Sequence, residues 1–202
     1  MKEGLSLQEM AAEIERQSSL KEDYLVDTRN LHMESFGSQV YLHMHENGSD
    51  ILEPLEVNPI AHRQLGTHLK IPAAYYDRML TSYPELLTQN VNAWFQKEHS
   101  KRMIRTLSGT ARAFLSNRYR RIDNLDIARV VLPIIGQMNG ARFESCQITD
   151  SRMYIKVVNP DLKQKLSLAI SYRLVSLSVT AKSDWAPFVS SLWFTVLCAA
   201  MA

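Results

Sequence analysis

This chain predicts an α+β fold: an antiparallel sheet, or sheets, with helices packed on one side. Three observations carry that expectation. Runs with strand-like alternation fill Asp23 to Leu55, a block of proline-started helical patterns follows from Pro59, and a Ser108-Gly109 pair then separates two further strand-like runs. With 202 residues, 46% hydrophobic and 22% charged, the chain has the length and composition of one folded domain with a single core.

The elements follow in order. Ser6 to Glu9 has the form S-x-x-E, in which the serine oxygen accepts from an early helix amide and the glutamate reaches back to the cap. Leu7, Met10, Ala11, Ile14 and Gln17 then recur at helical spacing, so a first amphipathic helix runs to about Leu20 and packs on a core. From Asp23 to Leu55 the period becomes two, interrupted at Phe36-Gly37-Ser38 and Asn47-Gly48-Ser49, which predicts an antiparallel meander. His32, His43 and His45 lie on it. No acid or cysteine stands at an obvious ligand spacing from them, so they read as solvent-facing strand residues, and neither a metal nor any other cofactor is expected.

Asn58-Pro59 is a cap followed by a proline at the first helical position, predicting a helix to about Leu65 that Gly66 ends or bends. Pro72 and Pro84 open two more. The stretch HRQLGTHLKIPAAYYDRM faintly resembles a helix-turn-helix, but Ala73, Ala74, Tyr75, Tyr76 and Met79 are residues for packing rather than for reading bases. Asp123 or Asn124 caps a later helix that contains Pro133, and a last hairpin turns about Thr149-Asp150-Ser151.

Charge is concentrated in one place. Between Lys97 and Arg121 lie eight Lys or Arg and one acid, Glu98, whereas the whole chain has a formal charge of +2. A two-residue turn at Ser108-Gly109 places Arg105 opposite Arg112 and puts Met103, Arg105, Arg112 and Phe114 on one face, with Ile104, Thr106, Ala111, Ala113 and Leu115 on the other. Two opposed guanidiniums need an anion or carboxylate between them. The candidate nucleic-acid-binding residues are therefore Arg102, Arg105, Arg112, Arg118, Arg120 and Arg121 on phosphates, with Phe114 and Tyr119 stacking on bases. The competing expectation is that these arginines pair with Asp123, Asp126 and acids of the first helix.

Three stretches, IPAAYYDRML, NVNAWF and above all RTLSGTARAFLSNRYRRIDNLDIARVVLPII, resemble a phage and plasmid family of bacterial proteins, domain of unknown function 932, over about Val57 to Pro160. The resemblance implies an accessory protein of a mobile element; it brings no catalytic residues with it. After about Lys165 the pattern stops. The family continues with segments similar to I-S-N-S-E-V-G and P-L-V-Y-R-L-V-C, and one permitted choice of codons for Ser178 to Lys182, with Leu177 ending in A, reads I-S-N-S-E in a shifted frame. The resemblance thus implies a family-like, truncated domain over residues 1–165 and an out-of-frame tail over 166–202, with a frameshift near Lys163 to Leu168, so that the α+β fold is incomplete at the C-terminus. The apolar run Val189 to Ala202 is shorter than the ~20 residues a membrane span needs, so no membrane role is expected.

Cys146 and Cys198 form no CxxC, and the N-terminus lacks an export signal, so the expected compartment is the cytoplasm. No phosphate loop, HExxH or nucleophile elbow is present, and no catalytic site is expected. His62, His68, Asp123 and Asp126 are the groups from which a scattered active site would have to be built. The partner classes are single-stranded nucleic acid first and a host protein second, the latter making the chain a non-catalytic interaction module. A truncated product with no activity is the remaining reading.

Overall fold

The computed structural model describes residues 4–46, 48–149, 152–159, 175–182 and 193–198. In chain order its elements are α1 (Leu7–Leu20), β1 (Lys21–Asp27), a short 3-10 turn (Thr28–Asn30), β2 (Leu31–Phe36), β3 (Gln39–Glu46), β4 (Ser49–Asp50) and β5 (Leu55–Val57). There follow α2 (Pro59–His68), α3 (Ala73–Ser82), α4 (Pro84–Lys97), β6 (Lys101–Leu107) and β7 (Thr110–Ser116). The chain continues with α5 (Asn124–Gly136), β8 (Arg142–Ile148), β9 (Arg152–Val158), β10 (Val175–Lys182) and β11 (Trp193–Cys198). Two compact units result, one spanning residues 20–120 and one built from 1–19 and 121–202. The described residues correspondingly hold two buried apolar clusters where the sequence reads as one core.

The 20–120 unit is a sheet ordered β1-β6-β7-β5-β3-β2, with β4 paired to β3. All its pairings are antiparallel except β5 with β7. Helices α2, α3 and α4 form with the strands a single cluster, in which Ala61, Leu65, Tyr76, Met79, Leu87, Val91 and Phe95 meet Leu31, Met33, Leu42, Leu55, Ile104 and Phe114. On α4 the spacing of Leu87, Val91 and Phe95, all fully buried, is the i, i+4, i+8 stripe that an amphipathic helix presents to a sheet.

Local chemistry explains most boundaries. Asn58 Oδ1 accepts from the Ala61 amide at 2.8 Å and starts α2, as expected. Gly66 does not end that helix. It lies inside α2, where an added Cβ would stand 3.0 Å from the Tyr76 ring, so the glycine lets α2 and α3 approach each other closely. Tyr76 and Met79 are buried, while Ala73, Ala74 and Tyr75 are exposed.

The meander is β2-β3-β5. β1, read as part of it, instead pairs with β6 across the sheet, with Asp23 opposite Arg105 and Asp27 opposite Lys101. At the other end of the sheet, α4 guards the free side of β2. Asn92 Oδ1 accepts from the Met33 amide and Asn92 Nδ2 donates to the Met33 carbonyl, both at 2.8 Å, so the side-chain amide stands in for a neighbouring strand. Asn92→Ala is expected to lower unfolding free energy by about 2 kcal/mol, since both backbone groups lose their partners. Urea denaturation checks this, and an unchanged midpoint would show that water replaces the amide at no cost.

In the second unit α1 and α5 pack on β8 and β9 through Met10, Ile14, Ile127, Val131, Ile135, Cys146, Met153 and Ile155. The predicted capping box is present: Glu9 accepts from the Ser6 amide at 2.8 Å, and the Glu9 amide donates to Ser6 Oγ at 3.2 Å. Asp123 and Asp126 form a second box at the start of α5, and Pro133 lies inside that helix. β10 and β11 extend the sheet in the order β11-β10-β9-β8, so β9 has a hydrogen-bonded neighbour on each side. The side chains of residues 160–202, including the apolar run from Val189, lie outside the described residues. Among the described residues no helix is long and apolar enough to cross a membrane.

Candidate nucleic-acid interface

The β6–β7 hairpin turns where the sequence places it. Ser108 has φ 50° and Gly109 φ 78°, the two positive values that a type I′ turn requires and that match the twist of paired strands. Leu107 faces Thr110 and Thr106 faces Ala111, as expected.

The register then shifts. Between Arg105 and Thr106 the pairing skips Arg112, so that Arg105 faces Ala113, Ile104 faces Phe114, Met103 faces Leu115 and Arg102 faces Ser116. One extra residue in one strand transfers everything beyond it to the opposite face. The two arginines expected to oppose each other are therefore not a pair, and Phe114 shares a face with Ile104 rather than with Arg105.

Each consequence is visible in the side chains. Arg105 is buried, and its Nε donates to Asp23 Oδ1 at 2.8 Å, with 6% and 8% of the two side chains exposed. That carboxylate comes from β1, whose Asp23 is the strand partner of Arg105. Phe114 is also buried, its ring stacked 6.2 Å from Phe95 and 5.5 Å from His68. Neither residue is accessible to a phosphate or a base.

The remaining basic residues lie differently. Arg102 is half-buried at the end of the hairpin opposite the turn, with its guanidinium 6.0 Å from the Phe114 ring centre. Its Nε donates to Ser100 Oγ at 3.2 Å, and its Nη2 lies 2.6 Å from His68 Nδ1. Since a guanidinium only donates, His68 must accept at Nδ1 and is the neutral tautomer carrying its proton on Nε2. Burial, followed by the charges of Arg102 and Lys70, lowers the His68 pKa to about 4, consistent with that assignment.

Arg118 and Arg120 are exposed on the segment leaving β7, and neither forms an ion pair with another described residue. The Tyr119 amide donates to the Ser116 carbonyl at 3.1 Å, which curls this segment back over the end of β7. Tyr119 and Arg112 are half-exposed and have partners of their own; Arg121 is exposed and opens the second unit. Within the 20–120 unit the hairpin thus brings Arg102, Arg118 and Arg120 to one end, and withdraws Arg105 and Phe114 into packing.

No protein-family model, curated protein or solved structure matches the chain.

The scattered catalytic groups are each engaged elsewhere. His62 Nδ1 lies 2.8 Å from the Tyr76 hydroxyl within the α2–α3 contact, and burial lowers its pKa to about 4. Asp123 and Asp126 are occupied in capping α5.

The strand histidines keep more company than their spacing promised. His32 and His43 are directly opposed on β2 and β3. His43 Nε2 is 3.1 Å from Glu34 and His45 Nδ1 is 2.8 Å from Asp50, acids that strand pairing delivers from β2 and β4. Among the described residues no group of three His, Cys, Asp or Glu is arranged to hold a metal ion.

Proposed function

We propose that this chain binds single-stranded nucleic acid through the end of the β6–β7 hairpin opposite its turn, as an accessory protein of a mobile element. The mobile-element half of the reading rests on the resemblance of RAFLSNRYRRIDN alone. The binding half is supported by one observation: Arg118 and Arg120 are exposed without ion-pair partners among the described residues, at the same end of the hairpin as Arg102, which lies opposite Ser116. Guanidiniums so placed attract successive phosphates.

On this reading the chemistry of binding is narrow. With Phe114 in the core, stacking falls to Tyr119, so affinity derives mainly from charge and is tolerant of base sequence. One phosphate neutralised by each of Arg102, Arg118 and Arg120 gives log K against log salt a slope of about −2, at ~0.7 per phosphate for a single strand. Fluorescence anisotropy with a labelled oligodeoxynucleotide, titrated at several salt concentrations, measures that slope. Absence of binding at low salt, or affinity indifferent to salt, overturns the reading.

A further inference from the structure

One charged group among the described residues lacks the compensation its burial calls for, and it is not one of the exposed arginines. Arg102 is half-buried, its pKa is lowered by burial, and among the described residues it meets no carboxylate. Arg105, on the same strand, has Asp23; Arg102 has a serine hydroxyl and a neutral histidine. A guanidinium withdrawn from water without a counter-charge is costly, and the contacts it does make fix its plane without neutralising it.

Its surroundings add positive charge. Lys70 bears electrostatically on the same His68 ring, and lies just beyond the end of α2 with φ 56°. That is the left-handed position of a helix C-terminus, which favours glycine. The Lys70 amide donates to the Thr67 carbonyl and the Ile71 amide to the Gly66 carbonyl, so these last carbonyls of α2 are spent on closing the helix and not on Arg102. Lys70 thus adds a second cation near the His68 ring that Arg102 touches, and a bound anion would offset that accumulated positive charge, the left-handed backbone being a separate cost.

We propose that Arg102, oriented by Ser100 and His68 and flanked by Lys70, is the seat of a single phosphate group. The guanidinium retains N–H groups beyond those given to Ser100 and His68, and its planar fork suits two oxygens of one oxyanion. Histidine serves here as an acceptor that sets the fork, so it is a positioning residue. The proposal deepens the nucleic-acid reading, on which it rests for the identity of the natural occupant as a phosphodiester; the same chemistry would seat free phosphate.

The test uses the full chain and inorganic phosphate, followed by NMR at the Arg102 Nε–H and the His68 ring. Saturable shifts of both signals are expected. Arg102→Gln should weaken phosphate binding about tenfold, in keeping with loss of a charge-assisted fork. Lys70→Gly should weaken it several-fold while raising the thermal midpoint, because glycine relieves the left-handed backbone. Wild-type signals that do not move with phosphate, or a folded Arg102→Gln that binds as well as wild type, overturn the site. A second arm with a single-stranded oligonucleotide separates the two ideas. Phosphate bound at Arg102 with no oligonucleotide binding overturns the nucleic-acid reading and supports the site; oligonucleotide binding unaffected by Arg102→Gln does the reverse.

Discussion

Arg105→Ala is expected to cost about 3–5 kcal/mol of folding stability, the range for removing one partner of a buried ion pair. The cost arises at Asp23, whose carboxylate is 2.8 Å from Arg105 Nε and 8% exposed. Deleting the cation leaves that charge buried without its main compensation. Asp23→Ala should also destabilise, by removing the carboxylate to which Arg105 Nε donates. Replacing both, as Asp23→Leu with Arg105→Met, should recover much of the loss, because apolar groups of similar volume carry no desolvation penalty. Chemical denaturation of the three variants checks the pattern. An Arg105→Ala protein of wild-type stability that has lost nucleic-acid binding would show that the arginine serves a ligand and not the sheet.

Phe114→Ala is the second large effect, again about 3–5 kcal/mol. The ring is 5% exposed and fills the space between Phe95 and His68 beneath the Arg102 guanidinium. Truncating it empties a volume among residues that are themselves held by α2, α4 and the sheet, so little collapse is available. That loss is a large share of the ~5–15 kcal/mol a domain possesses. Thermal and urea unfolding should both register it. Where the variant is kept folded by low temperature, any loss of affinity for a single strand should not exceed that of Arg102→Gln, because the buried ring bears on a bound strand only through the Arg102 guanidinium and His68 that it supports. Retained stability with weakened binding would restore the stacking role that the sequence implied.

These two residues show where the sequence was readable and where it was not. The features set by a few adjacent residues were legible: the Ser6–Glu9 box, the Asn58 cap, the prolines opening α2 to α4 and the Ser108–Gly109 turn all lie where local chemistry puts them. The features set by distant pairing were not. That β1 lies beside β6, bringing Asp23 to Arg105, depends on sheet order, which no local pattern encodes. The bulge at Arg112 has no compositional mark either, yet it reverses the face of every later residue in β7. One signal did exist. A register that sets two arginines face to face is improbable in itself, and a single-residue slip removes the clash more cheaply than an anion does. For the same reason Glu34 and Asp50 were invisible as partners of His43 and His45. Gly66 misled in another way, since it looks like a helix end and is a close approach to Tyr76.

The proposed interface is confined to the far end of the basic stretch, where Arg118 and Arg120 are exposed. The direct measurement is anisotropy of one labelled single-stranded oligonucleotide at low salt, with wild-type protein and the Arg118→Ala/Arg120→Ala double variant. Both substitutions fall on exposed residues without ion-pair partners among the described residues, so the variant should unfold at the wild-type midpoint. The predicted result is a loss of affinity of at least tenfold, with a shallower salt slope. Wild-type affinity and slope in the double variant would contradict the account.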